Sequence, residues 1–236
     1  MKRRADRLQG LKILFEDDSL LVVDKPAGML TTHTKLWGRA AREAQLTADN
    51  ILTDYLRKGQ WKSSKRAWLV HRLDRDTSGV MMFAKSEALA RKLREHWNET
   101  TEKVYLARVE GELSEPKGVY ESWLREDDDG YRVRSVSSAG RRAAVPNAKF
   151  ARTEWEALGP VKGAKAPQTR VRVKLHTGRK NQIRVHFSEH GHPVVGDEKY
   201  RAKPAERMFL HALRLKFVHP ITGKTLEFES PIPCTR

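Results

Sequence analysis

In the stretch Arg170-Val171-Arg172-Val173-Lys174-Leu175 every second residue is apolar and every residue between is a cation. A period of two is the mark of a half-buried strand, so Val171, Val173 and Leu175 share one face while Arg170, Arg172 and Lys174 make the other face basic. Leu213, Leu215 and Phe217 alternate with Arg214 and Lys216 in the same manner. Upstream, the segments 104–107, 119–123, 131–134 and 151–158 read as further strands, separated by glycine, proline or acidic turns such as 126–130, and the loop 159–168 precedes the basic strand. Short strands at this spacing predict a meandering antiparallel sheet. The N-terminal part adds strand, turn and strand over 11–23, closed by Pro26-Ala27-Gly28.

Helical signals are fewer. Asp49 is placed to cap a helix carrying Ile51, Leu52, Tyr55 and Leu56, and Ser86 to cap a second with Leu89, Leu93 and Trp97 at i, i+4 and i+8. Many strands with a few interposed helices and no linker or repeat predict an α+β fold in one continuous domain over 11–233, after a basic extension (1–10) and before a short tail (234–236). Residues 31–66 form a basic insertion, with Lys35, Arg39, Arg42, Arg57, Lys58, Lys62, Lys65 and Arg66.

The 236 residues hold 46 Lys and Arg against 30 Asp and Glu, a formal charge of +16, which favours a polyanionic partner. No apolar run approaches the roughly 18 residues that span a bilayer, and Met1-Lys2-Arg3-Arg4 is not followed by a signal-peptide core, so a cytoplasmic protein without a membrane partner is expected. Cys234 stands alone, which excludes an intramolecular disulfide and a cysteine-based zinc cluster. His186, His190 and His192 have only Glu189 as a close acidic neighbour, and no metal is expected.

Chemistry concentrates in His71-Arg72-Leu73-Asp74-Arg75-Asp76-Thr77-Ser78-Gly79, a charged loop between the apolar runs 67–70 and 80–84. A loop pinned by buried strands is where a rigid scaffold presents catalytic groups. Residue types alone do not rank Asp74 above Asp76. Three further segments join glycine to charge: Asp24-Lys25-Pro26-Ala27-Gly28-Met29, Thr177-Gly178-Arg179-Lys180-Asn181-Gln182-Ile183-Arg184-Val185-His186, and Gly191-His192-Pro193-Val194-Val195-Gly196-Asp197 followed by Tyr200. With the loop at 71–79 and Lys103-Val104-Tyr105, this ordered set resembles the RluA-type RNA pseudouridine synthases, from about residue 11 through His211 and His219-Pro220.

The resemblance implies a pseudouridine synthase fold, a mixed and mainly antiparallel curved sheet with flanking helices and a central RNA-binding cleft. It implies a cofactor-independent isomerase acting on uridines of structured RNA, ribosomal RNA favoured over transfer RNA, by base flipping. In the register of the resemblance Asp74 is the catalytic aspartate, whether as sugar nucleophile, ring nucleophile or base, and Asp76 takes a supporting role. Arg184 becomes the partner that keeps that aspartate ionised, Tyr105 the active-site tyrosine, and Arg72 the residue inserted into the RNA. His71, Lys25, Arg179 and Lys180 are the further candidates for RNA contact. Plainer roles stand beside these: His71 as a loop buttress, Arg184 as a helix cap or the partner of Glu189. Asn181 stands where relatives often carry His, and the short N-terminus leaves no room for the S4 domain of several relatives, so recognition is expected from the catalytic domain and its basic insertion. A monomer is expected, without an obligate protein partner. The rival reading is a catalytically silent RNA-binding protein on the same fold. A glycosidase built on Asp74 and Asp76 fits poorly, because it predicts sugar-binding aromatics rather than cations.

Overall fold

The computed structural model describes residues 8–33, 46–60, 62–136 and 145–232. In chain order the elements are β1 (Lys12–Glu16), β2 (Leu20–Lys25), α1 (Ala48–Arg57), β3 (Trp68–Leu69), β4 (Ser78–Ala84), α2 (Glu87–Glu95), α3 (Trp97–Thr100), β5 (Thr101–Glu110), β6 (Lys117–Glu126), β7 (Val133–Val136), β8 (Lys149–Pro160), β9 (Gln168–Leu175), α4 (Gln182–Glu189), a 3-10 turn (Glu198–Tyr200), β10 (Leu210–Val218) and β11 (Thr225–Glu229). They group into two compact units, Met1–Thr101 with Ala212–Arg236, and Glu102–His211. Most of the N-terminal extension, the tail with Cys234, and residues 34–45 of the basic insertion lie outside the described residues. Among the described residues no helix is long and apolar enough to cross a membrane.

In the first unit the strand order is β1-β2-β4-β10, with β11 on β10 and β3 on β4. β4 is buried along its whole length, and β2 at every residue but Asp24, which explains their near-continuous apolar sequences. α2 covers them: Ala90, Leu93 and the following Trp97 pack with Leu20, Val22, Val80, Met82, Leu215 and Phe217. Ser86 caps α2 as expected, its Oγ accepting from Leu89 N at 3.3 Å. The cap of α1 is displaced: Thr47 occupies the N-cap position, and Asp49 sits inside the first turn, where its carboxylate accepts from Thr32 Oγ1 at 2.7 Å and from the Thr47 hydroxyl.

β4 begins at a glycine that has no substitute. At Gly79 φ is +115°, and a Cβ would lie 2.1 Å from the carbonyl oxygen of Ala212. Gly79→Ala must shift the β4–β10 backbones as well as strain its own, and is expected to cost about 3 kcal/mol or more. That corresponds to a fall in Tm of about 6–12 °C; thermal unfolding equal to wild type would contradict the close approach.

The second unit is the antiparallel order β5-β9-β8-β6-β7. β9 alternates as its sequence predicts, with Val171, Val173 and Leu175 buried and Arg170, Arg172 and Lys174 exposed. The outward face is not uniformly basic, however. Glu154 and Glu156 of β8 stand directly opposite Lys174 and Arg172, and Arg172 pairs with Glu156 at 2.9 Å. The alternation therefore builds a ladder of mixed charge.

α4 lies against the inner face, where Val185 packs with Leu124, Val133, Ala151 and Tyr200. His186, 1% exposed, hydrogen-bonds Ser122 Oγ at 2.9 Å and Thr153 Oγ1 at 2.8 Å. Burial, and secondarily the nearby His190, holds its pKa down at about 4, from an ordinary 6.5. Between those values the unfolded chain binds a proton that the native protein refuses. The contribution is fully present above about pH 6.5 and is lost as the pH falls toward 4, by about 2–3 kcal/mol at pH 4.5. Urea unfolding at pH 7.5 and 4.5 checks this: His186→Gln should lose less stability than wild type over that interval, by about 2–3 kcal/mol, and equal losses would contradict it.

Candidate active site

The charged loop is fixed by its neighbours at three points. Thr31 Oγ1 donates to Leu73 O at 2.8 Å and accepts from Leu73 N at 3.3 Å. The carbonyl of Arg75 accepts from Gly28 N at 2.9 Å and from Lys25 Nζ at 3.1 Å. Thr77 N donates to Asp74 O at 3.2 Å, closing the turn that carries the aspartate. Asp74 is thus a half-buried carboxylate on a backbone braced from both sides, the condition for holding a reactive group in one geometry.

Lys25 corrects the expectation of a phosphate contact. Its side chain is fully buried, and the ammonium also donates to Pro26 O at 2.9 Å and Met29 O at 2.8 Å. A buried cation must be satisfied by close acceptors, and these carbonyls tie the 26–29 turn to the 71–79 loop. His71 takes the plainer of its two roles: Nε2 accepts from Met82 N at 3.0 Å, and the ring stacks on Trp97 at 4.5 Å. A ring accepting at Nε2 carries its proton at Nδ1.

The two carboxylates are treated differently. Asp76 forms a surface pair with Arg75 at 3.0 Å, with 43% and 62% of the side chains exposed, an arrangement worth little energetically. Arg72 is exposed and has no hydrogen bond or ion pair with the described residues, so its guanidinium is available to a ligand.

In the second unit Tyr105 lies on β5 opposite Val173, 9% exposed. Lys103, two residues before it and on the same face, is 5% exposed, and burial together with nearby Arg179 pushes its pKa down to about 8. Arg184 is buried within α4. Its Nε and Nη2 donate to the two oxygens of Asp197 at 2.6 and 2.8 Å, and Nη1 donates to Asn181 Oδ1 at 3.1 Å. Neither plainer role for Arg184 survives. Glu189 is engaged by Ser135 through its backbone N–H at 2.8 Å and its hydroxyl, and Arg184 lies in the first turn of α4, where the unsatisfied groups are N–H donors that a guanidinium, itself only a donor, does not cap.

Asn181, the departure from the family pattern, adopts φ +53°, a conformation that asparagine tolerates. Its Nδ2 donates to Tyr200 OH at 2.9 Å, so one amide links Arg184 to a tyrosine held by Val133 N at 3.1 Å. Lys180 is committed locally, to Glu126 and the carbonyl of Gly130, both at 2.7 Å. It anchors the β6–β7 turn while its side chain stays 30% exposed. Arg179 donates through Nε to Phe150 O at 2.9 Å.

Sequence reasoning passed over Thr31 as a brace of the first unit's loop, and over Asp197, Asn181 and Lys103 as neighbours of Arg184 and Tyr105 in the second unit. Asp197 had a signal: it follows Gly196, whose φ is +79° and whose missing Cβ would lie 2.1 Å from Arg207 O. That close approach is what sets the carboxylate beside Arg184. Thr31 had none, because its partner is 42 residues away.

Comparison with known proteins places the chain in a family. The family model described as RNA pseudouridylate synthase matches residues 19–189. The chain is 38% identical over 238 residues to ribosomal large subunit pseudouridine synthase D of Nitrosomonas europaea, covering 94% of this chain and 62% of that protein. It thus spans less than two thirds of that relative. It is 33% identical over 226 residues to the dual-specificity RNA pseudouridine synthase RluA of Escherichia coli, covering 94% and 93%. Among solved structures, human RNA pseudouridylate synthase domain containing 1 superimposes with a TM-score of 0.71 at 28% identity, over 96% of this chain and 85% of that one. By motif order, strand and helix arrangement and identity along its length, the chain belongs to the RluA-type RNA pseudouridine synthases and has their α+β fold.

Proposed function

We propose that this protein is an RNA pseudouridine synthase that isomerises uridine in structured RNA, with Asp74 as the catalytic carboxylate and Tyr105 and Arg184 completing the chemistry. The observation that carries the reading is the braced loop: a half-buried aspartate whose flanking backbone is held by Thr31 at Leu73 and by Lys25 at Arg75, next to an exposed arginine that makes no hydrogen bond or ion pair among the described residues. The reaction breaks the bond from C1′ to N1 and forms one from C1′ to C5, with N1 gaining a proton and C5 losing one. Atoms and electrons balance within the nucleotide, so neither an oxidant nor an activated co-substrate is called for. A carboxylate near the sugar and ring, and a residue that fills the stack while the base is out, are what such a step needs. Arg72 takes the second task.

Ribosomal RNA is the proposed substrate ahead of transfer RNA, in keeping with the relatives named for the large ribosomal subunit. The test is conversion by the purified protein, without added metal or nucleotide, of bulk RNA from cells lacking it. Pseudouridine should appear at the positions that differ between cells with and without the protein. Binding without conversion would favour the silent RNA-binding protein.

A further inference from the structure

The outer face of β6, β7 and β8 carries side chains that this chemistry leaves unused. Trp123 of β6 stands directly opposite Phe150 of β8, and their rings meet edge to face with centroids 5.9 Å apart. Phe150 is 38% exposed and Trp123 half-buried, whereas the alternate residues Leu124 and Ala151 belong to the core. Two large rings on an outward sheet face forgo the burial each would gain inside.

The surrounding cations are also poorly arranged for the protein alone. Arg125, two residues along β6 from Trp123 and so on the same face, stands directly opposite Arg134; like charges across an antiparallel pair are destabilising. Arg134 is offset by Asp127 at 2.7 Å, and Arg152, two residues from Phe150, by Glu121. Arg125 has no such partner among the described residues, and its Nε is buried without a hydrogen bond. Arg179 reaches the start of β8, where its Nε donates to the Phe150 carbonyl at the edge of this face.

Ring faces flanked by guanidinium groups on a sheet match an unpaired nucleotide, base on ring and phosphate on cation. We propose that this face is a second RNA contact surface, where an unpaired base of the substrate stacks on Trp123 and Phe150 and the adjacent phosphates meet Arg125 and Arg179. The proposal rests on the reading of RNA as substrate. An acidic peptide would satisfy the arginines but leave the rings without a flat partner.

The test uses the full chain with a fluorescent single-stranded RNA 12-mer and with bulk substrate RNA. Trp123→Leu with Phe150→Leu keeps apolar volume and removes the π faces; it should weaken oligomer binding about ten-fold or more and raise KM for RNA, while Trp123→Phe restores most of the affinity. Arg125→Gln should lower the slope of log affinity against log salt by about one. A wild type that modifies RNA, with Leu variants unchanged in affinity and KM, overturns the second surface and leaves the enzyme reading intact. Leu variants that lose only a protein partner overturn it too. A wild type that neither binds nor modifies RNA defeats both.

Discussion

Asp74→Asn is expected to reduce pseudouridine formation by about 10⁴-fold or more, in line with removal of a sole nucleophile or base from an active site. Asparagine has the size of aspartate and keeps the polarity of the half-buried position, and the bonds that Lys25, Thr31 and Gly28 make to the loop go to backbone atoms of residues 73 and 75, which the substitution leaves in place. Folding should therefore be unchanged, with Tm within a few degrees of wild type, and RNA affinity should fall no more than a few fold. The companion variant is Asp76→Asn, which gives up only a surface pair with Arg75, worth less than about 1 kcal/mol. Single-turnover conversion of RNA by the two variants separates the carboxylates. Loss of activity in Asp76→Asn with retention in Asp74→Asn would reverse the assignment.

What the sequence made legible, and what it did not, divides along the range of the interactions. The alternation of β9 and the cap at Ser86 are set by neighbours two or three residues apart, and both formed as read. The charge of the β9 outer face was misread because its neutralising residues sit on β8, invisible until the register places Glu154 and Glu156 opposite Lys174 and Arg172. Lys25 looked like a surface cation because lysine is seldom fully buried. The acceptor 50 residues away, at Arg75, could only be found once β2 and the loop were packed together. Motif register supplied the ranking of Asp74 over Asp76; both are half-buried, and what the structure adds is that Thr31 and Lys25 brace the backbone on either side of Asp74.

The Arg184–Asp197 pair offers the sharpest separation of stability from chemistry. Both side chains are nearly excluded from solvent, at 10% and 1% exposure, and the two parallel bonds make Asp197 a close neutraliser of a cation that cannot shed its charge. Asp197→Ala removes the carboxylate that accepts two of this buried guanidinium's hydrogen bonds, and should cost about 3–5 kcal/mol, with a fall in Tm of about 6–20 °C. Activity should be lost with it, because the arginine assigned to the chemistry loses its fixed position. The double variant Asp197→Leu with Arg184→Met replaces the ion pair by apolar groups of similar volume, and such replacements recover most or all of the stability. If Arg184 serves the reaction, the double variant melts near wild type and remains inactive. If the pair is only a structural clamp, the double variant recovers activity together with its Tm, and Arg184 leaves the catalytic set.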